Sequence, residues 1–182
     1  MSDLIRLAEL IRTKSAIETA ISTIIQRPAL IGHAGEFIAS IIFDIELHAS
    51  ASFKASDGRF RSGPLAGRTV NVKWYGRHES VLDIHTSGDC NDYLVLTGPK
   101  STQLTSRGAT RPWIIDAVYL FDCIDLVRSL ATTGVKVGVA TSVRRETWDA
   151  AEVYPRANNH RLALSETQRE QLRLFSSASA LS

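Results

Sequence analysis

The chain lacks any hydrophobic run approaching the roughly 20 consecutive apolar residues that a membrane-spanning helix needs, and Met1-Ser2-Asp3 opens no basic segment followed by an apolar stretch. Neither a membrane span nor a signal peptide is expected. Cysteine is scarce: Cys90 and Cys123 lie far apart and match no metal-ligand spacing, so they read as two reduced, partly buried thiols, which suits a reducing cytoplasm. No charge of one sign prevails, because 21 basic residues face 19 acidic ones and leave a formal net charge of +2; bulk charge therefore gives no argument for nucleic acid. Also missing are a glycine-rich phosphate loop, a nucleophile elbow around a serine and a histidine pair at zinc spacing. No internal repeat or low-complexity block divides the chain.

What is present is enough for one domain of ordinary size, with 182 residues of which 44% are hydrophobic. The expected layout over 1–182 is an N-terminal helix over 3–26, a core over 32–155, a C-terminal helix over 165–175 and a frayed tail over 176–182. Apolar residues from Leu4 to Ile25 recur at three- and four-residue steps, the spacing of a helix packed on one side, and Pro28 ends it. A second helix is predicted from Gly32 to His48, with Glu36 in its first turn. The segment 52–61 reads as extended, Gly63-Pro64-Leu65-Ala66-Gly67 as the turn of a hairpin, and Arg68 to Tyr75 as the return strand.

That return strand alternates, so Val70 and Val72 point one way while Asn71 and Lys73 share the other face. Val81 to Ile84 is expected to extend the sheet, and Asp92 to Thr97 reads as a buried central strand stopped by Gly98-Pro99. The polar stretch 100–111 is predicted to be a loop. Strand character follows from Trp113 to Phe121, helical character from Asp122 to Ala131, a further strand from Val135 to Ala140, and short helices at 147–153 and 165–175. The fold class is α/β, a mixed central β-sheet flanked by helices.

Phosphodiester hydrolysis needs a cation that polarises a phosphoryl oxygen and acidifies an attacking water, with a positive group near the developing charge. Mg²⁺ takes oxygen ligands and keeps several waters, so one or two carboxylates, a carbonyl and a lysine suffice. Asp57 ends the first extended segment, Asn71 and Lys73 lie two residues apart on the next strand with the Val72 carbonyl between them, and Glu36 sits on a preceding helix.

A helix with an early Glu, then Asp in a hairpin strand, then a strand ending in a polar residue, a hydrophobic residue and Lys resembles the PD-(D/E)XK nuclease superfamily. The resemblance covers Gly35 to Thr97, about a third of the chain. The stretches Ser56-Asp57-Gly58-Arg59-Phe60 and Gly67 to Gly76, together with Asp92-Tyr93 opening the next strand, are similar to those of bacterial and phage proteins grouped near restriction enzymes. The resemblance implies a restriction-endonuclease-like fold and a Mg²⁺-dependent endonuclease, with Mn²⁺ able to substitute. Asp57, Asn71 and the Val72 carbonyl would be the metal ligands, Lys73 would assist the water, and Glu36 would support the metal's hydration. DNA is the implied partner, and a homodimer the implied assembly for cutting two strands.

Asn71 departs from the family's pattern, which has Asp or Glu there; an amide offers a ligating oxygen without the charge and weakens Mg²⁺ binding. Asp83 is the candidate to supply the missing charge. Two other readings stay open: an inactive nuclease-like module that binds DNA or a protein, and an accessory subunit of a defence or mobile-element system. For DNA contact the candidates are Arg59, Arg61, Arg68 and Arg77, part of a basic stretch from Lys54 that also holds Lys73 and a single acid, and Arg144 and Arg145 ahead of a helix. His33 reads as a helix-start residue, and Trp113 and Trp148 as core.

Overall fold

A computed structural model describes residues 2–49, 56–85, 90–100 and 111–178. Among these residues five α-helices and a 3-10 turn at Gly63–Leu65 accompany eight strands: α1 (Asp3–Ile25), α2 (Ile31–Ile42), β1 (Ile45–Leu47), β2 (Gly58–Phe60), β3 (Thr69–Tyr75), β4 (Val81–Leu82), β5 (Asp92–Thr97), β6 (Ala117–Asp122), α3 (Cys123–Thr132), β7 (Thr141–Ser142), α4 (Arg145–Ala151), β8 (Glu152–Tyr154) and α5 (Glu166–Arg173). Six strands form one mixed sheet in the order β1-β2-β3-β5-β6-β8, antiparallel except for the β3–β5 pair. The expected α/β class, with a mixed central sheet flanked by helices, is the one observed. Among the described residues no helix is long and apolar enough to cross a membrane.

The strand patterns explain the layers. Val70, Val72 and Trp74 of β3 join Phe60, Leu94, Leu96, Val118 and Leu120 in a core closed by Ile38, Ala39 and Ile42 of α2 and Leu172 of α5. The opposite side of the sheet buries Tyr93, Val95, Tyr119 and Phe121 beneath Leu126 and Leu130 of α3 and Trp148 of α4. Every residue of β5 is buried, as a strand covered on both faces requires.

At several places the structure departs from the sequence reading. The second helix stops at Ile42, not His48, because Asp44 takes a left-handed φ of 53° and its carboxylate accepts bonds from Arg61 Nε (2.7 Å) and Ser62 Oγ (2.6 Å). Ile45 and Leu47, which continue the helical spacing, belong instead to β1 and face Phe60 and Gly58 of β2. Val81 and Leu82 leave the central sheet and pair with β7. Val135 to Ala140 is not a strand: the Thr141 hydroxyl bonds both the amide (2.8 Å) and the carbonyl (2.7 Å) of Gly138, and Ala140 is left-handed. The helix expected over 147–153 is replaced from Glu152 by β8. Of the tail expected to fray, Ser177 is tied down through its amide to Asp116 (2.9 Å). The loop expected over 100–111 falls outside the described residues except at its two ends; the extended segment expected over 52–61 is described from Ser56, and Gly58–Phe60 of it forms β2.

One ionic cluster spans the sheet. The Asp92 carboxylate has no exposure to solvent and accepts from Arg68 Nε (2.6 Å) and Nη2 (3.2 Å) and from Arg161 Nη2 (2.7 Å). Arg68 Nη2 also reaches Asp122 (2.8 Å), the residue that caps α3 by accepting from the Ile124 and Asp125 amides. Removing one member of a buried charge cluster leaves the others uncompensated, which typically costs about 3–5 kcal/mol. Asp92→Ala is accordingly expected to lose about that much stability in urea unfolding, far more than Arg128→Ala on the exposed Asp125 pair, worth under about 1 kcal/mol.

Candidate functional site

The site forms where β2 ends before β3 does. The Asp57 amide donates to the Val70 carbonyl (2.9 Å), and Gly58 faces Val70 in register, so two consecutive residues share one partner. Such an extra residue is a bulge, a device that re-aims a side chain. Asp57 Oδ2 accepts from the Val72 amide at 2.7 Å, further along the β3 edge. In a strand the N–H and C=O of one residue project to the same side. The Val72 carbonyl therefore faces this same edge, next to Asp57.

Two glycines permit the approach of the surrounding elements. A Cβ on Gly58 would lie 2.4 Å from the Glu46 carbonyl oxygen, so only glycine lets β1 and β2 close beside Asp57. A Cβ on Gly35 would meet Trp74 Cβ at 3.0 Å, which marks how tightly α2 lies on β3 and brings the next residue, Glu36, to the strand. Arg27 pairs with the largely buried Glu36 carboxylate. Lys73 comes from the opposite face of β3 and is half-buried.

Burial pushes the Asp57 carboxyl above the usual carboxylate range; the Val72 amide opposes this, nearby Glu36 adds to it, and Lys73 and Arg27 pull it down. Asp57, Glu36, Lys73 and Arg27 thus share one electrostatic neighbourhood. Arg27 is the member that sequence reasoning missed, because next to Pro28 it reads only as a helix terminator. Asn71 is buried on the face of β3 that carries Lys73. Asp83 stands apart: its carboxylate accepts from the Ala140 amide (2.7 Å), its amide donates to Tyr75 Oη (2.9 Å), and it is not among the charges acting on Asp57.

The arginines are scattered. Arg59 is exposed opposite Thr69, on the face of β3 that bears Asn71 and Lys73. Arg61 is paired with Asp44, and Arg68 is committed to Asp92 and Asp122. Arg77 is half-buried just past β3. Arg144 and Arg145 are exposed at the start of α4, which packs on β6. Three strand spacings, about 14 Å, separate β6 from β2. Lys54 lies outside the described residues. His33 Nδ1 lies 2.9 Å from the Pro28 carbonyl, a structural contact at the helix start.

Among the described residues no three of His, Cys, Asp and Glu gather as a metal-binding group. A cation at Asp57 would rest on that carboxylate, the Val72 carbonyl and water, with Glu36 acting through water because Arg27 already holds it. This suits an ion that keeps most of its hydration. Cavities of about 480 Å³ between α3 and α4 and about 430 Å³ beside His85, Cys90 and Cys123 lie elsewhere, and neither is lined by Asp57 or Lys73. Far apart in sequence, Cys90 and Cys123 meet in the fold with Sγ atoms 3.1 Å apart. Comparison with protein-family models and with characterised proteins finds no match to this chain.

The raised Asp57 carboxyl has a sign that can be measured. The folded chain holds this proton more tightly than the unfolded chain, so stability from this group is present at low pH and falls as pH rises through the raised value. Asp57→Asn keeps an oxygen for the Val72 amide and removes the buried charge. It is expected to melt at or above the wild-type temperature at neutral pH, with the difference closing at acidic pH in circular-dichroism melts. Gly58→Ala is expected to lose about 1–3 kcal/mol through the clash with β1.

Proposed function

We propose that this chain is a metal-dependent DNA endonuclease of the PD-(D/E)XK kind, acting at the edge of β3. The observation that supports the reading is that Asp57 is fixed on the Val72 amide at the β3 edge within electrostatic reach of Glu36 and Lys73, in the chain order the resemblance calls for. Among the described residues the site lies along the edge of β3, which suits an extended polymer. Mg²⁺, or Mn²⁺ in its place, would supply Lewis-acid polarisation of the phosphoryl oxygen and an acidified water.

The chain's own residues then have distinct tasks. Asp57, fixed by the Val72 amide, would offer its second oxygen to the cation, and the Val72 carbonyl would add a neutral donor. Lys73 holds the attacking water and offsets the charge that builds on the phosphate. Glu36, oriented by Arg27, would accept from the waters that hydrate the ion. Arg59 is the arginine best placed for the phosphate backbone near the cut. Two copies would cut two strands, and a cytoplasmic location fits the thiol pair.

Asn71 favours a second reading, a nuclease-like module that binds DNA without cutting it, since the amide removes one negative charge from the ligand set. Cleavage of supercoiled plasmid with Mg²⁺ or Mn²⁺ separates the two. Under the first reading wild type cuts, Asp57→Ala and Lys73→Ala each lose at least about 100-fold, and Asn71→Asp binds Mn²⁺ more tightly by calorimetry. A folded wild type that neither cuts nor gives a saturable Mn²⁺ isotherm, yet binds duplex DNA with steep salt dependence, selects the second.

A further inference from the structure

Helix α1 was expected to pack along one side, and it does not. Ile25 is its one buried residue, Ile21 touches the core, and Leu4, Ile5, Leu7, Leu10, Ile11, Ile17 and Ile24 are each more than half exposed. These are seven of the thirteen large hydrophobic residues exposed among the described residues, so the molecule's uncovered apolar surface is concentrated on this helix. Most helical stability in water comes from burying an apolar face, and isolated helices shorter than about 12–15 residues are marginal. The part of α1 before Ile21 gets little such burial from its own domain.

The order of the residues says what covers it. Leu7, Leu10, Lys14, Ile17, Ile21 and Ile24 alternate steps of three and four, the seven-residue repeat of a helix that supercoils with another helix of the same repeat. Lys14 is the single polar member, and it pairs with Glu18 one turn on. In a parallel pair Lys14 would face Lys14 of the second copy in one layer. In an antiparallel pair Leu7 meets Ile24 of the second copy, Leu10 meets Ile21 and Lys14 meets Ile17. Glu18 of the second copy then lies beside Lys14, and the contact is repeated by the two-fold axis. The stripe is therefore self-complementary in charge only when antiparallel.

We propose that α1 is a homodimerisation element, pairing antiparallel with α1 of a second copy through the Leu7–Ile24 stripe. The overlap runs about 27 Å along the helix. With the flanking Leu4 and Ile11, the exposed apolar side chains are of the order of the roughly 800 Å² per partner that a stable interface buries. By the 100° step per residue Ile24 points about 100° and Ile21 about 40° around α1 from Ile25, so at its C-terminal end the pairing face adjoins the seat of the helix on its own domain, and Ile21 borders both. The inference is independent of the metal-site reading.

The test is sedimentation equilibrium of the full chain between about 1 and 100 μM, where a Kd in the micromolar range is resolved. Wild type is expected at the mass of two chains, dissociating on dilution. Leu10→Glu with Ile17→Glu should give the single-chain mass at every concentration while keeping a cooperative melt, since both positions are exposed in the monomer. Lys14→Glu alone should weaken association by about tenfold through like charges across the axis, and the double change Lys14→Glu with Glu18→Lys should restore it. A wild type of single-chain mass at the highest concentration, or a two-chain mass that Leu10→Glu with Ile17→Glu leaves intact, overturns the proposal. A double charge swap no tighter than Lys14→Glu overturns the antiparallel pairing.

Discussion

The rest of the sheet depends on a carboxylate that never meets water. Asp92 opens β5, the strand buried on both faces, and its two oxygens are shared between Arg68, just before β3, and Arg161, beyond β8. Asp122, at the junction of β6 and α3, joins through Arg68. A lone buried carboxylate would be ruinous, and two guanidinium groups of fixed fork geometry make it tolerable. That requirement fixes where three consecutive strands of the sheet begin or end relative to one another. It also helps keep β3 and β5 parallel and in register, across a connection whose described residues include the short β4 ribbon.

With one edge of β3 bound over its whole length by β5, its other edge carries the consequence. β2 is three residues long and faces only the start of β3. Past that point the Val72 amide donates to the Asp57 carboxylate. The chemistry of the candidate site thus arises from an unequal pairing of the two edges. The close approach of α2 at Gly35 and the alternation that turns Lys73 to the other face then deliver charges to that edge from both sides of the sheet.

Some of this was legible in the sequence because it rests on local rules. The period-two pattern of Val70 to Lys73 was enough to orient β3, and the apolar run of β5, bounded by Gly98-Pro99, was enough to mark a buried strand. The site candidates Asp57, Lys73 and Glu36 followed from that ordering. What was not legible depends on tertiary partners. Ile45 and Leu47 keep a helical spacing, and only the Asp44 turn and its bonds to Arg61 and Ser62 convert them to a strand. Arg68 and Arg61 looked available for phosphate because their acids lie 24 and 17 residues away. Cys90 and Cys123 gave no hint of meeting, since the antiparallel pairing of β5 with β6 is what joins them. The apolar residues of α1 indicated an amphipathic helix but not whether its partner lay within the same chain.

Asn71 is best understood through the charge already present. Asp57 is held above the ordinary carboxylate range by burial, and Glu36 adds to that strain while Lys73 and Arg27 relieve it. A further acid at position 71 would enter a place only 7% exposed, where an ionised group is costly unless a cation stays bound. The amide keeps a polar oxygen there without that cost. On the proposed reading, a cation at this edge would bind weakly and exchange readily. A site of that kind would owe its occupancy to the phosphate arriving with the cation, so that metal and nucleic acid bind together more tightly than either binds alone.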